Sequence, residues 1–202
     1  FRVHFRDRYD AEFLKYSLFN EPHFDKSGIE EFATLVIRNF GNDGQAERPR
    51  MRDSLMHALA FEEKSLISAK RSVFVFLNGQ PWGLYNLREH IGPEYFRSNY
   101  GLSQVDLLWG ERNVEAGDSG HWDATYHFFS TADLSNSSDF ERAISLIDVQ
   151  NFTDYEIFQI YSANIDLVDA NLFKVRPKTA DGRWQWVLWD LDYAFGLRPY
   201  NP

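Results

Sequence analysis

Apolar and polar residues alternate over Phe1-Arg-Val-His-Phe-Arg6, the two-residue period of a half-buried strand. A second short strand is expected at Tyr16-Ser-Leu-Phe19, and a β-branched one at Phe32-Ala-Thr-Leu-Val-Ile-Arg38. The latter runs into a Gly/Asn/Asp loop, Asn39 to Gly44. Between Met51 and Ile67 the apolar residues recur at helical spacing. Ser72 to Leu77 and Trp82 to Leu87 flank Asn78-Gly79, the dipeptide whose tolerance of positive φ makes it the strongest short hairpin signal. Pro93 to Tyr100 predicts a short helix stopped by Gly101.

Further on, Gln104 to Gly110 predicts a strand, and Glu115 to Gly120 a polar loop. Asp123 to Thr131 and Ser138 to Leu146 predict helices. Another helix is expected through Tyr155, Phe158 and Tyr161, capped by Asn151 or Thr153. A polar loop at 164–171, a strand at Leu172 to Val175, a turn at Ala180-Asp-Gly182 and a strongly apolar strand from Trp184 to Trp189 complete the pattern. Strands in the first half and helices in the second predict an α+β chain in two lobes.

Composition narrows the function classes. A chain of 202 residues with 44% hydrophobic residues can bury a sizeable core. A net charge of −9 with no offsetting basic run argues against nucleic-acid binding, so a polyanionic ligand would need a local basic pocket. With no cysteine, disulfides, thiolate metal sites and cysteine nucleophiles are excluded. No apolar stretch approaches the ~20 residues of a membrane span. The start at Phe1 and the finish just beyond a functional-looking motif read as a fragment, from which a signal peptide would be missing.

Candidate chemistry gathers near the end of the chain. Asp166 and Asn171 stand five apart in a polar loop, and the Trp184–Trp189 run ends in Asp190 and Asp192, which an extended backbone would point to one side. Oxygen donors of this kind suit a divalent cation, while the local alternative is turn formation and capping. The spacing Asp166 to Asn171 with a later Asp is also that of the protein-kinase catalytic loop and its metal ligand. A hairpin of Leu172–Val175 with Trp184–Trp189 would hold Asn171 and Asp190 side by side. Asp169 reads as solvated loop charge. Arg38 ends a buried strand, either as a phosphate contact or paired with a helix acid such as Glu62 or Glu63. Glu89 either accepts from a nucleotide or pairs with Arg88 or Arg97. The six histidines lack zinc-binding spacing and the serines lack a G-x-S-x-G context.

Leu35-Val-Ile-Arg-Asn-Phe-Gly-Asn-Asp43, Met51-Arg-Asp53, Leu77-Asn-Gly-Gln-Pro-Trp-Gly-Leu-Tyr85 with Glu89, Asn164-x-Asp166-x-x-x-x-Asn171 and Trp189-Asp-Leu-Asp-Tyr-Ala-Phe-Gly196 together resemble the spore coat protein H (CotH) kinase family over nearly the whole chain. The resemblance implies a reduced, two-lobed protein-kinase-like fold, a strand-rich lobe over about residues 1–91 and a helix-rich lobe over 92–202. It implies an atypical protein kinase using ATP and Mg²⁺ or Mn²⁺ on Ser/Thr of secreted, surface or spore-coat proteins. Asp166 takes the catalytic-loop position, Asn171 and Asp190 the metal positions with Asp192 as helper, and Arg38 the place of the phosphate-binding Lys.

Family members often carry Asp-Trp-Pro and paired Asn in the catalytic loop, where this chain has Asp166-Leu-Val and a single Asn171. That departure favours the alternative of a non-catalytic pseudokinase or surface adhesion module. A glycosidase dyad is disfavoured, because Asp190 and Asp192 leave one strand end and would not flank a glycosidic bond.

Overall fold

Two four-stranded antiparallel sheets, one from each half of the chain, carry the α+β fold. A computed structural model describes residues 1–20, 28–45, 47–167 and 171–196. Asp169 lies outside them. The first sheet has the order β1 (Arg2–His4), β4 (Thr34–Arg38), β6 (Gln80–Glu89) and β5 (Lys70–Leu77). The β5–β6 hairpin turns at Asn78 (φ 49°) and Gly79 (φ 77°), the paired positive φ that the Asn-Gly dipeptide predicts. The run expected from Phe32 to Arg38 is broken at Ala33: β3 (Glu31–Phe32) pairs with β2 (Leu14–Lys15) in a separate ribbon. Tyr16 to Phe19 is accordingly not a strand. Phe19 is instead a fully buried core residue, edge-on to Phe32 with ring centroids 5.5 Å apart.

Helix α1 spans Arg52–Glu62, shorter than its apolar periodicity predicts. Lys64 takes a left-handed φ of 59°, and the chain then runs alongside the end of the tryptophan-rich strand, where Leu188 N donates to Leu66 O at 2.9 Å. Tertiary pairing of Ile67 with Leu188 has overridden the helical pattern. The start of α1 is capped from outside, Asp43 accepting from Arg52 N at 3.1 Å. Helix α2 (Pro93–Tyr100) ends at Gly101 with φ 68°, as expected.

The second half of the chain departs from a purely helical reading. β7 (Val105–Trp109), β8 (Asn113–Ala116), β9 (Phe173–Pro177) and β10 (Gln185–Val187) form a sheet of order β10-β9-β7-β8. Glu115 and Ala116, expected in a loop, close β8. Helices α3 (Gly120–Thr131), α4 (Ser137–Leu146) and α5 (Val149–Tyr161) complete this half. Asp148, not Asn151 or Thr153, caps α5, accepting from Asn151 N at 3.0 Å. The Asn151 amide is committed to Trp186, donating to its carbonyl at 3.1 Å and accepting from its N–H at 2.6 Å. The Thr153 hydroxyl bonds back to Val149 O at 2.8 Å.

One hydrophobic cluster joins the halves. Phe32 and Leu35, with Met56 and Ala60 of α1, pack with Trp184, Trp186, Leu188 and Leu191. A smaller cluster seats α2 on the second sheet through Tyr95, Phe96, Leu107, Val175 and Val187. The shared core is what fixes the end of β4 against the acidic segment after β10. No helix among the described residues is long and apolar enough to cross a membrane.

Candidate active site

Arg38, the last residue of β4, meets the segment beyond β10. Its Nη2 donates to Asp190 Oδ1 and stands 3.6 Å from Asp192 Oδ2. Its guanidinium also lies over the Trp189 ring, 5.4 Å from the centroid. The acids that pair with it are therefore these two, not the Glu62 or Glu63 expected from sequence. The two aspartates converge on Arg38 through a turn, not through strand alternation. β10 stops at Val187 and Asp190 has a left-handed φ of 54°, so the extended-backbone argument does not apply.

Asp192 is almost wholly buried, at 1% exposure. Oδ2 accepts from Asn42 N at 2.6 Å, whereas Oδ1 is buried with no hydrogen-bond partner. Burial, then the neighbouring Asp190 charge, pushes its pKa above the usual carboxylate range. The loop Asn39–Gly44 closes over it so tightly that a Cβ on Gly41, itself at φ 57°, would stand 1.9 Å from Asp192 Oδ2. Glycine is required there both for backbone conformation and for space.

A second set of groups holds this turn from beneath. Asp53, in the first turn of α1, accepts from Leu191 N at 2.9 Å, the residue between the two acids. Its other oxygen pairs with Arg88 of β6. Arg88 is fully buried, which draws its pKa down to about 9, and His57 stands 3.4 Å from the same carboxylate. Desolvation, reinforced by Lys70, lowers the His57 pKa to about 3, so the imidazole is neutral near neutral pH.

Asp166 and Asn171, the other candidates read from the sequence, bond to each other. Asn171 Nδ2 donates to Asp166 Oδ2 and to its backbone oxygen, each at 3.0 Å. The amide nitrogen of Asn171 is thus committed to Asp166, and its amide oxygen can act only as an acceptor. Asn164 shapes the loop, accepting from Asp166 N at 3.3 Å and donating to Gln159 at 2.8 Å. Phe173 pairs with Val187 across β9–β10, so Asn171 and Asp190 precede and follow that pair at one end of it. Phe195 N donates to Ser162 O at 2.6 Å, tying the acidic turn to the segment that leads into Asp166.

Glu89 lies three residues along the sheet from this meeting point and on the opposite face, since Leu35 pairs with Glu89 and Arg38 with Asn86. It accepts from Ala69 N and from Asn99 Nδ2, each at 2.8 Å. The arginines expected as its partners are engaged elsewhere, Arg88 with Asp53 and Arg97 with Glu94. Glu89 also lines a cavity of about 180 Å³ with Thr34, His90, Tyr95 and Asn99. The register of the first sheet places Arg2, His4, Arg38, Lys70 and Arg88 on one face.

The family model described as CotH kinase protein matches residues 3–200. The chain belongs to this family. No curated protein matches it. Membership suggests a kinase-like role for the groups gathered here. In this CotH kinase family member the sequence alone assigned no role to Gly41, Asn42 or Asp53, and offered Arg88 only as a partner for Glu89, where its partner is Asp53. The hydrogen bonds of Asn42, Asp53 and Arg88 span 35 to 150 residues of chain, a range that local patterns do not report.

Proposed function

We propose that the chain is an atypical protein kinase that transfers the γ-phosphoryl group of ATP, with Mg²⁺ or Mn²⁺, to Ser/Thr hydroxyls. Its strand-rich part over about residues 1–91 and its helix-rich part over 92–202 act as two lobes about the site. The observation that carries this reading is the meeting of Arg38, at the end of β4, with two carboxylates that follow β10, while the bonded Asp166 and Asn171 lie on the segment leading into β9.

The donor set suits a divalent cation. Asp192 Oδ1 is buried and unbonded beside Asp190, an arrangement that asks for a positive charge. Among the described residues no three acidic or imidazole side chains converge. That fits Mg²⁺, which takes one or two carboxylates and fills its shell with phosphate oxygens and water. Asp190, Asp192 and Asn171 would hold it, and bound there it neutralises charge on the β- and γ-phosphates.

The protein's own residues do the rest. Arg38 contacts phosphate oxygens. Asp166, kept in place by Asn171, orients the acceptor hydroxyl and takes its proton. Most of the rate enhancement comes from positioning and charge stabilisation. By family resemblance the acceptors are spore-coat, surface or secreted proteins.

Thermal shift with Mg-ATP or Mn-ATP, run beside a phosphoryl-transfer assay on Ser/Thr acceptors, tests the proposal. Asp166→Ala should keep the nucleotide-induced shift and lose transfer, and Asp190→Ala should lose both. Absence of any shift in the wild type refutes the kinase reading. A non-catalytic binding module is the second reading. It is favoured by the aromatic surface of the β5–β6 hairpin, where Phe74, Phe76 and Trp82 are 60%, 61% and 53% exposed. Nucleotide-independent capture of a surface partner by that hairpin, without transfer, would support it.

A further inference from the structure

We propose that Arg38 is the resident counter-ion of the Asp190–Asp192 pair, so that this site excludes a free divalent cation and admits one that arrives with a nucleotide. The proposal rests on the kinase reading of the site and adds an order of events to it.

One guanidinium spans both acids, donating to Asp190 Oδ1 and lying 3.6 Å from Asp192 Oδ2. Among the described residues no other cationic side chain forms an ion pair with either acid. Trp189 lies against the guanidinium, and a Cβ on Gly41 would come within 3.1 Å of Arg38 Nη2. The arginine is thus packed into the place between the carboxylates rather than draped across them.

Charge balance determines which cation can enter. Two carboxylates and one guanidinium sum to a single negative charge, and Asp192 Oδ1 is still unbonded. A free divalent ion entering beside Arg38 would leave the cluster positive, with two cations in contact range, so it must displace the arginine from the acids that pair with it. A nucleotide removes that obstacle. Its phosphates present planar-matched acceptors to the guanidinium, which binds them as well as it binds carboxylate. Arg38 then passes from the acids to the phosphates as the cation takes the acids. Its side chain is 16% exposed, against 0% for Arg88 on the same sheet face, so a phosphate can reach it from solvent.

The experiment is calorimetric titration of Mn²⁺ alone, and separately of Mg-ATP, into the wild type, Arg38→Gln and Arg38→Lys. If Arg38 is the counter-ion, Arg38→Gln binds Mn²⁺ alone about tenfold more tightly and Mg-ATP about tenfold more weakly, a coupling of ordinary allosteric size. Arg38→Lys, which keeps the charge, continues to exclude free Mn²⁺. A purely structural arginine would weaken both ligands together. Far-UV circular dichroism checks that each variant is folded. If the wild type binds Mg-ATP and Arg38→Gln binds Mn²⁺ no more tightly than the wild type, the counter-ion role is overturned and the site reading stands. Failure of the wild type to bind Mg-ATP under any condition overturns the site reading and this proposal with it.

Discussion

Arg38 and Arg88 stand on one face of one sheet, yet their surroundings make them opposite kinds of ion pair. Arg88 has no exposed surface and holds Asp53, which in turn holds Leu191 N. Arg38, two positions along the paired strands, keeps partial access to solvent and holds two acids that have other prospective partners. A buried pair whose second partner supports a backbone donor is a fixed part. A half-open pair at a carboxylate cluster is an exchangeable one. The difference lies in burial rather than in residue type: guanidinium and carboxylate serve in both, and only one pair is exposed enough to trade its counter-ion.

Breaking the fixed pair should have the largest effect. Arg88→Ala leaves Asp53 as an uncompensated buried charge and should lower stability by about 3–5 kcal/mol in urea unfolding. Arg38→Ala, measured the same way, should lower it by clearly less. Equal losses would erase the distinction.

The second prediction uses pH. His57 sits in the buried pair's environment with its pKa lowered to about 3. A depressed folded-state pKa means the unfolded chain binds the proton more readily, so the stability is fully present above the ordinary 6.5 and is lost as pH falls toward about 3. Within that window the loss approaches ~1.4 kcal/mol per pH unit. His57→Leu should flatten this part of the stability–pH curve. An unchanged slope would show that other groups set it.

A third effect should be smaller in stability and larger in function. Gly41→Ala adds a methyl group against Asp192 at a left-handed backbone position and should cost about 1–2 kcal/mol. Mg-ATP affinity should fall with it, because Asp192 must shift. A variant that loses stability but keeps full nucleotide affinity would separate the Gly41 turn from the exchangeable pair.

The smallest effect concerns Asp192. Its raised pKa means that its contribution to stability is greatest at low pH and fades as pH rises through the raised value. Adding Mg-ATP above that pH should recover part of what is lost. Asp192→Asn should show no recovery of this kind by thermal shift.

Legibility in the sequence followed the range of the forces involved. The β5–β6 hairpin was readable because two adjacent residues, Asn78 and Gly79, set the turn. The same holds for α2, where Pro93 opens and Gly101 closes the helix within one short segment. Asp166 and Asn171 could be paired from spacing, and their side chains do bond. Helix α1 stops well short of the Ile67 that its periodicity predicts, since Leu66 and Ile67 suit a helix locally and are claimed instead by Leu188 from far along the chain. Arg38 stood out in the sequence as an expensive cation in need of a partner. The partner itself lay 152 residues away, where no spacing rule reaches. The fixed pair was invisible for the same reason, since Asp53 and Arg88 are individually ordinary in sequence.

That separation also sets when the site comes into being. During synthesis Arg38 emerges and β4 finds β6 within some fifty residues of chain, yet Asn42 and Arg38 wait about 150 residues in all for Asp190 and Asp192. Closing so long a loop comes late in folding. Until it closes, the strand-rich part offers a cationic edge with no acid to occupy it. The strand that carries Arg38 and the segment that carries the two acids are therefore joined late relative to the first sheet, and the cluster is assembled by a distant segment of chain rather than by its neighbours.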